Sequence, residues 1–462
     1  MPIDRRSILS AGLGAGIGVG LSGVAAAADA GPRSKREAAR VAAAEVPAAD
    51  ELGLKPGSAQ DQTAALQALI DEAANRGAPL LLPPGRFRTG RLQLRPGTRL
   101  VGSARSTTLE FIGGAAFLVG EGDGIGLEGL VLDGAYQTLD DGQATGLVSL
   151  KKSRGILLRD LEVVRSIANG FTLEGCAGGV SDCTVTGALM AGIHSLDATG
   201  LDILHNHVAD CANNGIQVWR SEPGEDGSVV ANNRIERIRA DGGGTGQNGN
   251  GINAFRAGGV LVTGNRVADC AYSAIRGNSS SNIEIIANSC ARLGEVALYA
   301  EFAFQGALIA NNLVDTAATG ISVTNFNEGG RLAVVQGNIL RNLFRREQEP
   351  EDKRGEGIAV EADASVTGNV IESAPTAGLV IGSGAYMREV VATGNLIRKA
   401  RVGILVSTEA GVGACLIANN LISGTTDGSI RAADAAGRPV GPELAGGGAG
   451  SKRLSLSGNL AV

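Results

Sequence analysis

The chain has 462 residues, 44% hydrophobic and 19% charged, a balance that supports a packed core and excludes wholesale disorder. Glycine is the outlier at 70 residues, spread without a three-residue period, which excludes collagen and points to many tight turns. The formal net charge of −6 argues against nucleic acid as a partner, because a phosphate groove needs a basic surplus; a local basic patch stays compatible with a polyanion.

Residues 1–30 read as an address. Arg5-Arg6 precede an apolar run from Ile8 to Val24, and Ala25 to Ala28 supply small residues for cleavage. The paired arginines predict twin-arginine export of a folded protein, by the machinery that reads such leaders, to the periplasm or beyond. Asp4 and Ile8 depart from the commoner residues of that signal. No later segment is apolar enough to span a membrane, so the mature protein is predicted to have no span. Residues 31–57 read as a flexible linker and 58–462 as one domain.

That domain opens with Asp61-Gln-Thr-Ala-Ala-Leu, a predicted helix with Asp61 as N-cap and Leu66, Leu69, Ile70 and Ala73 on one face. Leu80-Leu-Leu-Pro-Pro-Gly-Arg-Phe follows as a strand entering a turn. A repeat of roughly two dozen residues then dominates positions 150–430. Asparagine recurs ahead of apolar residues at 206, 233, 265, 288, 312, 338, 369, 395, 420 and 459, with Asp160 and Asp182 as apparent earlier members. Between these runs comes a Gly-Ile motif at Gly192, Gly215, Gly251, Gly320, Gly357 and Gly403, with Gly378-Leu, Ala274-Ile275 and Ala297-Leu298 completing it. Each unit reads as strand, asparagine turn, strand, loop, strand. Asparagine tolerates the left-handed backbone of such a turn, and stacked amides would bond from coil to coil. Alternating Ile and Val would point into a continuous core. A helix at 58–90 would cover the open first coil, and 431–462 would form a loop and a last coil.

On these residues the chain resembles the pectate-lyase-like superfamily. Asp61, Thr63, Ala65, Pro83 or Pro84, Gly85 and Phe87 match its opening helix and strand, and the Asn and Gly-Ile coils match its repeats. With Arg5-Arg6, the chain resembles twin-arginine-translocated β-helix repeat proteins of unassigned function. The resemblance implies an all-β, single-stranded right-handed parallel β-helix with an N-terminal capping helix. It imports no catalytic set, because the polygalacturonase and alginate-epimerase signatures are not recognisable here.

Members of that superfamily use the face of the strand after the Gly-Ile motif. Alternation predicts two outward columns there. The first is His194, Gln217, Asn253, Arg276, Tyr299, Ser322 and Ala359; the second is Leu196, Trp219, Phe255, Asn278, Glu301, Thr324 and Glu361. Val380 and Leu405 continue the first column blandly. The chain's one tryptophan thus falls beside other aromatics and amides on an outer face, which suits a sugar chain whose ring faces stack and whose hydroxyls bond. Arg220, Arg256 and Asn325 flank the columns as further binding candidates. Loops at 221–227, 241–250 and 344–356 would wall the face.

The reading is therefore an exported carbohydrate-binding protein with a polysaccharide partner, acidic in one version, and with enzyme action left open. β-Elimination on a uronic-acid polymer would use Arg276 and Asn253 to neutralise the substrate carboxylate and Tyr299 as base and acid. Inverting glycoside hydrolysis would use Glu301 and Glu361, two coils or roughly 10 Å apart. The alternative is a non-catalytic envelope or surface protein. His205 and His207, flanking the Asn206 turn, read as structural. No three-ligand metal site is legible and no cofactor is implied; Glu222, Glu225 and Asp226 leave Ca2+ as an option. The six cysteines read as buried thiols, with Cys176–Cys183 left open as a disulfide.

Overall fold

The computed structural model describes residues 47–139, 145–244, 246–346, 355–446 and 453–462. The expected leader, the expected linker up to residue 46, and Lys353 and Arg354 lie outside the described residues.

Each coil contributes three short strands. A Gly-Ile strand such as Ala191–Leu196 leads to a middle strand such as Leu201–Leu204, and that to an asparagine strand such as His207–Ala209. Strands pair in parallel with their counterparts one coil on, as Ile193 does with Ile216, Ile203 with Val230 and Val208 with Ile235; Pro439–Val440, antiparallel to Ile430–Ala433, is the exception among the described residues. The middle strands make a 15-stranded sheet, and the other two stacks share a 28-stranded one. The chain is a right-handed parallel β-solenoid, as its repeat predicts. The residues paired in parallel above are all buried, so the core is one continuous apolar column.

The Gly-Ile glycines are needed for close approach. A Cβ at Gly215 would run into the carbonyl oxygen of Gly251 and the side chain of Ile235. From Gly170 to Gly403 the position holds only glycine and the alanines at 274 and 297, while the coils before it carry Phe117 and Leu147 there and the last carries Ser429.

The one α-helix among the described residues, α1 (Thr63–Asn75), buries Leu66, Ile70 and Ala73 over the first coil. Its formal N-cap is Gln62, one residue after the expected Asp61, yet the Asp61 carboxylate still accepts the Thr63 N–H at 2.8 Å. The Gln67 amide donates to the Gln93 carbonyl at 3.0 Å and accepts its N–H at 2.7 Å, replacing the missing neighbour of the strand Leu92–Leu94. Residues 47–57, expected as the end of a linker, are packed instead. Leu54 is buried in the core, and the Gly57 N–H bonds the Arg86 carbonyl.

The amide ladder runs from Asn206 to Asn459. Each Oδ1 accepts the backbone N–H of the asparagine one coil earlier, for example Asn206 to Asn233 at 2.8 Å and Asn233 to Asn265 at 2.9 Å. Each Nδ2 donates back to a middle-strand carbonyl, as Asn233 does to Ile203 at 2.9 Å. The left-handed residue is not the ladder asparagine but the one before it: His205, Asn232, Gly264, Ala287 and Asn311 all have positive φ. Asp160 and Asp182 sit at that left-handed position, so they are not ladder members. Cys183 holds the ladder place and gives its N–H to the Asn206 amide at 3.0 Å. The physical reason is burial: the turn must reverse at a residue facing water, while the amide that bonds both neighbouring coils must face inward.

All six cysteines are free and buried, Cys176 and Cys183 included. Burial pushes the thiols of Cys183, Cys211, Cys290 and Cys415 up to about 12. No thiol is expected to react with an aromatic disulfide reagent at pH 8 in the native state, and all six should react once the chain is unfolded. Fast native labelling of even one would contradict this packing.

Candidate functional site

The columns expected on the Gly-Ile strands are in register. Gln217, Asn253, Arg276, Tyr299 and Ser322 face one another rung by rung, as do Trp219, Phe255, Asn278 and Glu301. His194 stands opposite Gln217. The face divides into two parts with different chemistry.

The first part is aromatic. The Trp219 ring lies edge-on to His194 at 5.4 Å between centroids and to Phe255 at 5.7 Å, a favoured geometry for ring quadrupoles. Arg256 stacks on Phe255 at 4.8 Å and donates to the Ser221 carbonyl at 2.6 Å. Arg220 donates to the Ala198 carbonyl at 3.3 Å. His194 Nδ1 is 2.8 Å from Gln217 Oε1. Burial lowers the His194 pKa, which favours the neutral ring; Nδ1 then donates to Gln217, leaving Nε2 as an acceptor. His194, Trp219, Phe255 and Arg256 are half-buried. Three polar atoms here have no hydrogen-bond partner among the described residues: Trp219 Nε1, Arg220 Nε and Asn253 Oδ1.

The second part is ionic and closed. Arg276 Nε donates to Glu301 Oε1 at 2.6 Å, and its Nη1 lies 3.7 Å from Glu295; the Arg276 and Glu301 side chains are 9% and 3% exposed. Asn278 donates to the same Glu301 oxygen at 2.9 Å. Arg346 lies 3.6 Å from Glu295 and over the Tyr272 ring. Gly246 packs directly on the Arg276 guanidinium, where any Cβ would clash, so the 241–249 loop roofs the pair. Amides pin that loop: Asn214 and Asn253 donate to the Gln247 carbonyl at 3.0 and 3.4 Å, and Asn250 donates to that of Gly246 at 2.8 Å.

These contacts define the surroundings of each catalytic candidate. Arg276 does not stand open to a substrate carboxylate, because Glu301 occupies it. Asn253 lies under the loop. Burial pushes the Tyr299 hydroxyl up to about 12, away from what a base at neutral pH needs. Glu301 is committed to Arg276, and Glu361 accepts the Phe326 N–H at 2.7 Å, so neither is poised to activate water. Asn325, a further binding candidate, instead turns the chain in a left-handed conformation and accepts the Phe302 N–H at 3.2 Å. Among the described residues no group of three metal-ligating side chains exists, and Asp226 is buried with Oδ1 on the Ser228 N–H. No helix among them is long and apolar enough to cross a membrane.

Sequence reasoning missed Glu295 and Tyr272, which close the ionic part with Arg346 from the expected 344–356 wall, and the amides of Asn214 and Asn250 that pin the roof. A faint signal existed for the latter: Asn169, Asn214 and Asn250 each stand directly before the glycine that opens a strand.

A family model described as the right handed beta helix region matches residues 224–422. No curated protein matches the chain in sequence. Among solved structures, the pre-mature bacteriophage phi29 gene product 12 superposes with a TM-score of 0.51 at 16% identity, over 86% of this chain and 57% of that one. Its N-terminal fragment gives 0.50 at 17% identity, over 89% and 71%. The A-module of the Azotobacter vinelandii mannuronan C-5 epimerase AlgE6 gives 0.42 at 16% identity, over 90% and 98%. The chain spans little more than half of the full phage protein, and at these identities the likeness is one of fold.

Proposed function

We propose that this chain is an exported glycan-binding β-helix, carried out of the cytoplasm folded by its twin-arginine leader, and that sugar rings dock on the aromatic part of the Gly-Ile face. The observation that carries this reading is the cluster of Trp219, His194 and Phe255 with two polar atoms, Trp219 Nε1 and Arg220 Nε, lacking partners beside it. A buried polar atom without a bond is costly, and a polyhydroxylated ligand that reaches it relieves the cost. The ionic part, already neutralised, serves as a rigid floor. A binder therefore fits better than a lyase or an inverting hydrolase, both of which need Arg276, Tyr299, Glu301 or Glu361 released from the contacts above.

Trp219 is the only tryptophan, so intrinsic fluorescence reports on this site alone. Oligosaccharides from plant, algal and bacterial polymers are expected to shift its emission in a saturable way. Trp219→Ala should weaken retention on the same polymer about tenfold, or about 1.4 kcal/mol, without changing the melting temperature. New reducing ends or unsaturated uronates formed by the wild type would replace this reading with an enzymatic one.

A further inference from the structure

The solenoid pairs its cations rung to rung. Arg159 meets Glu128 at 2.7 Å, Arg237 meets Asp210 at 2.8 Å, Arg292 meets Asp269 at 2.7 Å, Arg341 meets Asp315 at 2.7 Å and Lys399 meets Glu372 at 2.7 Å, each acid one coil earlier. The asparagine strands break this rule at one place. Arg234 and Arg266 stand directly opposite each other on neighbouring rungs, both exposed, and neither guanidinium makes a hydrogen bond or ion pair to any described residue. His207 is the next rung in the same column. The nearby carboxylate, Glu236, is already held by His207 at 3.1 Å and by Arg237 at 2.8 Å. Like charges on paired strands repel, and here the protein leaves the repulsion unanswered in a chain whose net charge is −6.

The two arginines border a groove of about 690 Å3 that also takes in His205, His207, Asn232 and Gly264. No carboxylate lines it. His205 and Asn232, at left-handed turn positions, rise beside the arginines and bond each other at 3.4 Å. The groove thus offers two guanidinium forks carried on strands roughly 4.8 Å apart, edged by an imidazole and an amide.

We infer that this groove is an anion site, in which Arg234 and Arg266 hold a sulfate or carboxylate oxyanion while His205 and Asn232 bond hydroxyls beside it. Guanidinium forks match planar or tetrahedral oxyanions with paired hydrogen bonds, and one bound anion removes the repulsion between them. The site lies on the asparagine strands, so it stands independently of the aromatic face on the Gly-Ile strands.

Calorimetry on the whole protein in low salt tests this with inorganic sulfate, tetragalacturonate and uncharged maltotetraose. Sulfate or tetragalacturonate should bind the wild type, and the double variant Arg234→Gln with Arg266→Gln should bind at least tenfold more weakly at a melting temperature no lower than that of the wild type. Trp219→Ala should leave this binding intact, which separates the failure of one site from that of the other. Sulfate alone binding supports a free oxyanion as occupant; tetragalacturonate binding at least tenfold tighter than sulfate supports a sugar acid. Anion binding absent from the wild type, or equal in the double variant, overturns the inference, as does maltotetraose competing for the same site.

Discussion

Replacing Asn288 by alanine is expected to destabilise the solenoid by about 3 kcal/mol, one of the two largest effects of a single substitution anticipated for this chain. The Asn288 amide donates to the Val262 carbonyl at 3.0 Å and to Asn312 Oδ1 at 3.0 Å. Its own oxygen accepts both the backbone N–H and the side-chain amide of Asn265, at 2.9 and 3.0 Å. Alanine therefore strands two donors and a carbonyl in a site that water does not reach. A typical hydrogen bond contributes only about 1 kcal/mol net, but each buried group left unbonded costs about 1–3 kcal/mol, so the orphans set the total. Asn459 is half-buried and bonds Asn420 in the same way, at 3.1 and 2.9 Å, so its alanine variant leaves the same groups closer to water and should cost less than the Asn288 variant. Because solenoids can unfold in segments, the direct readout is local: amide exchange at Asn265 should accelerate strongly in the Asn288 variant, with the bulk urea midpoint falling beside it. An unchanged exchange rate at Asn265 would mean that the ladder is ornamental.

Much of this was legible in the sequence because a solenoid converts distance along the chain into contact. Once the Gly-Ile motif fixed the phase, the pairing of Gln217, Asn253, Arg276 and Tyr299 followed from alternation alone. The ladder was legible too, but its phase was off by a residue at the early end. Asparagine occupies both the inward place and the left-handed place before it at 232–233, 311–312 and 419–420, so residue type could not say which of the two reverses the chain. Asp160 and Asp182 were placed inward on that account. What stayed illegible is whatever the repeat does not dictate. The closure of Arg276 depends on the path of the 241–249 loop and on Glu295, a residue outside either column. Nothing in the coil periodicity fixes such an insertion. Leu54 went unread for a similar reason, since two leucines, Leu52 and Leu54, among Gly, Lys and Pro are too few to show a period.

Arg276→Ala is expected to destabilise the fold by about 3–5 kcal/mol at neutral pH, because it leaves Glu301 buried without its cation. A double variant, Arg276→Met with Glu301→Leu, should recover most of that loss, since removing both charges also removes both desolvation costs. The pH dependence gives a sharper test. Burial, opposed by Arg276 and Asn278, leaves the Glu301 carboxyl above its ordinary value. A folded state that holds its proton more tightly than the unfolded one loses stability as pH rises from the ordinary carboxyl range through the raised value. Glu361 acts in the same sense, also through burial. Removing Arg276 deletes the cation that opposes this rise, so the variant should lie closest to wild type near pH 4 and furthest from it near pH 8. The corner carboxylates run the other way: Arg partners hold Asp210, Asp269 and Asp363 below their ordinary values, and their contribution is present above the ordinary range and fades as pH falls through the lowered values. Those pairs lie apart from Arg276 and Glu301 and are unaffected by the variant, so they cancel in the difference. Melting temperatures of wild type, Arg276→Ala and the double variant across pH 4–8 therefore isolate the buried pair. A gap between wild type and Arg276→Ala that stays constant over that range would show that Glu301 does not carry the charge assigned to it, and would reopen Arg276 as a group free to meet a ligand.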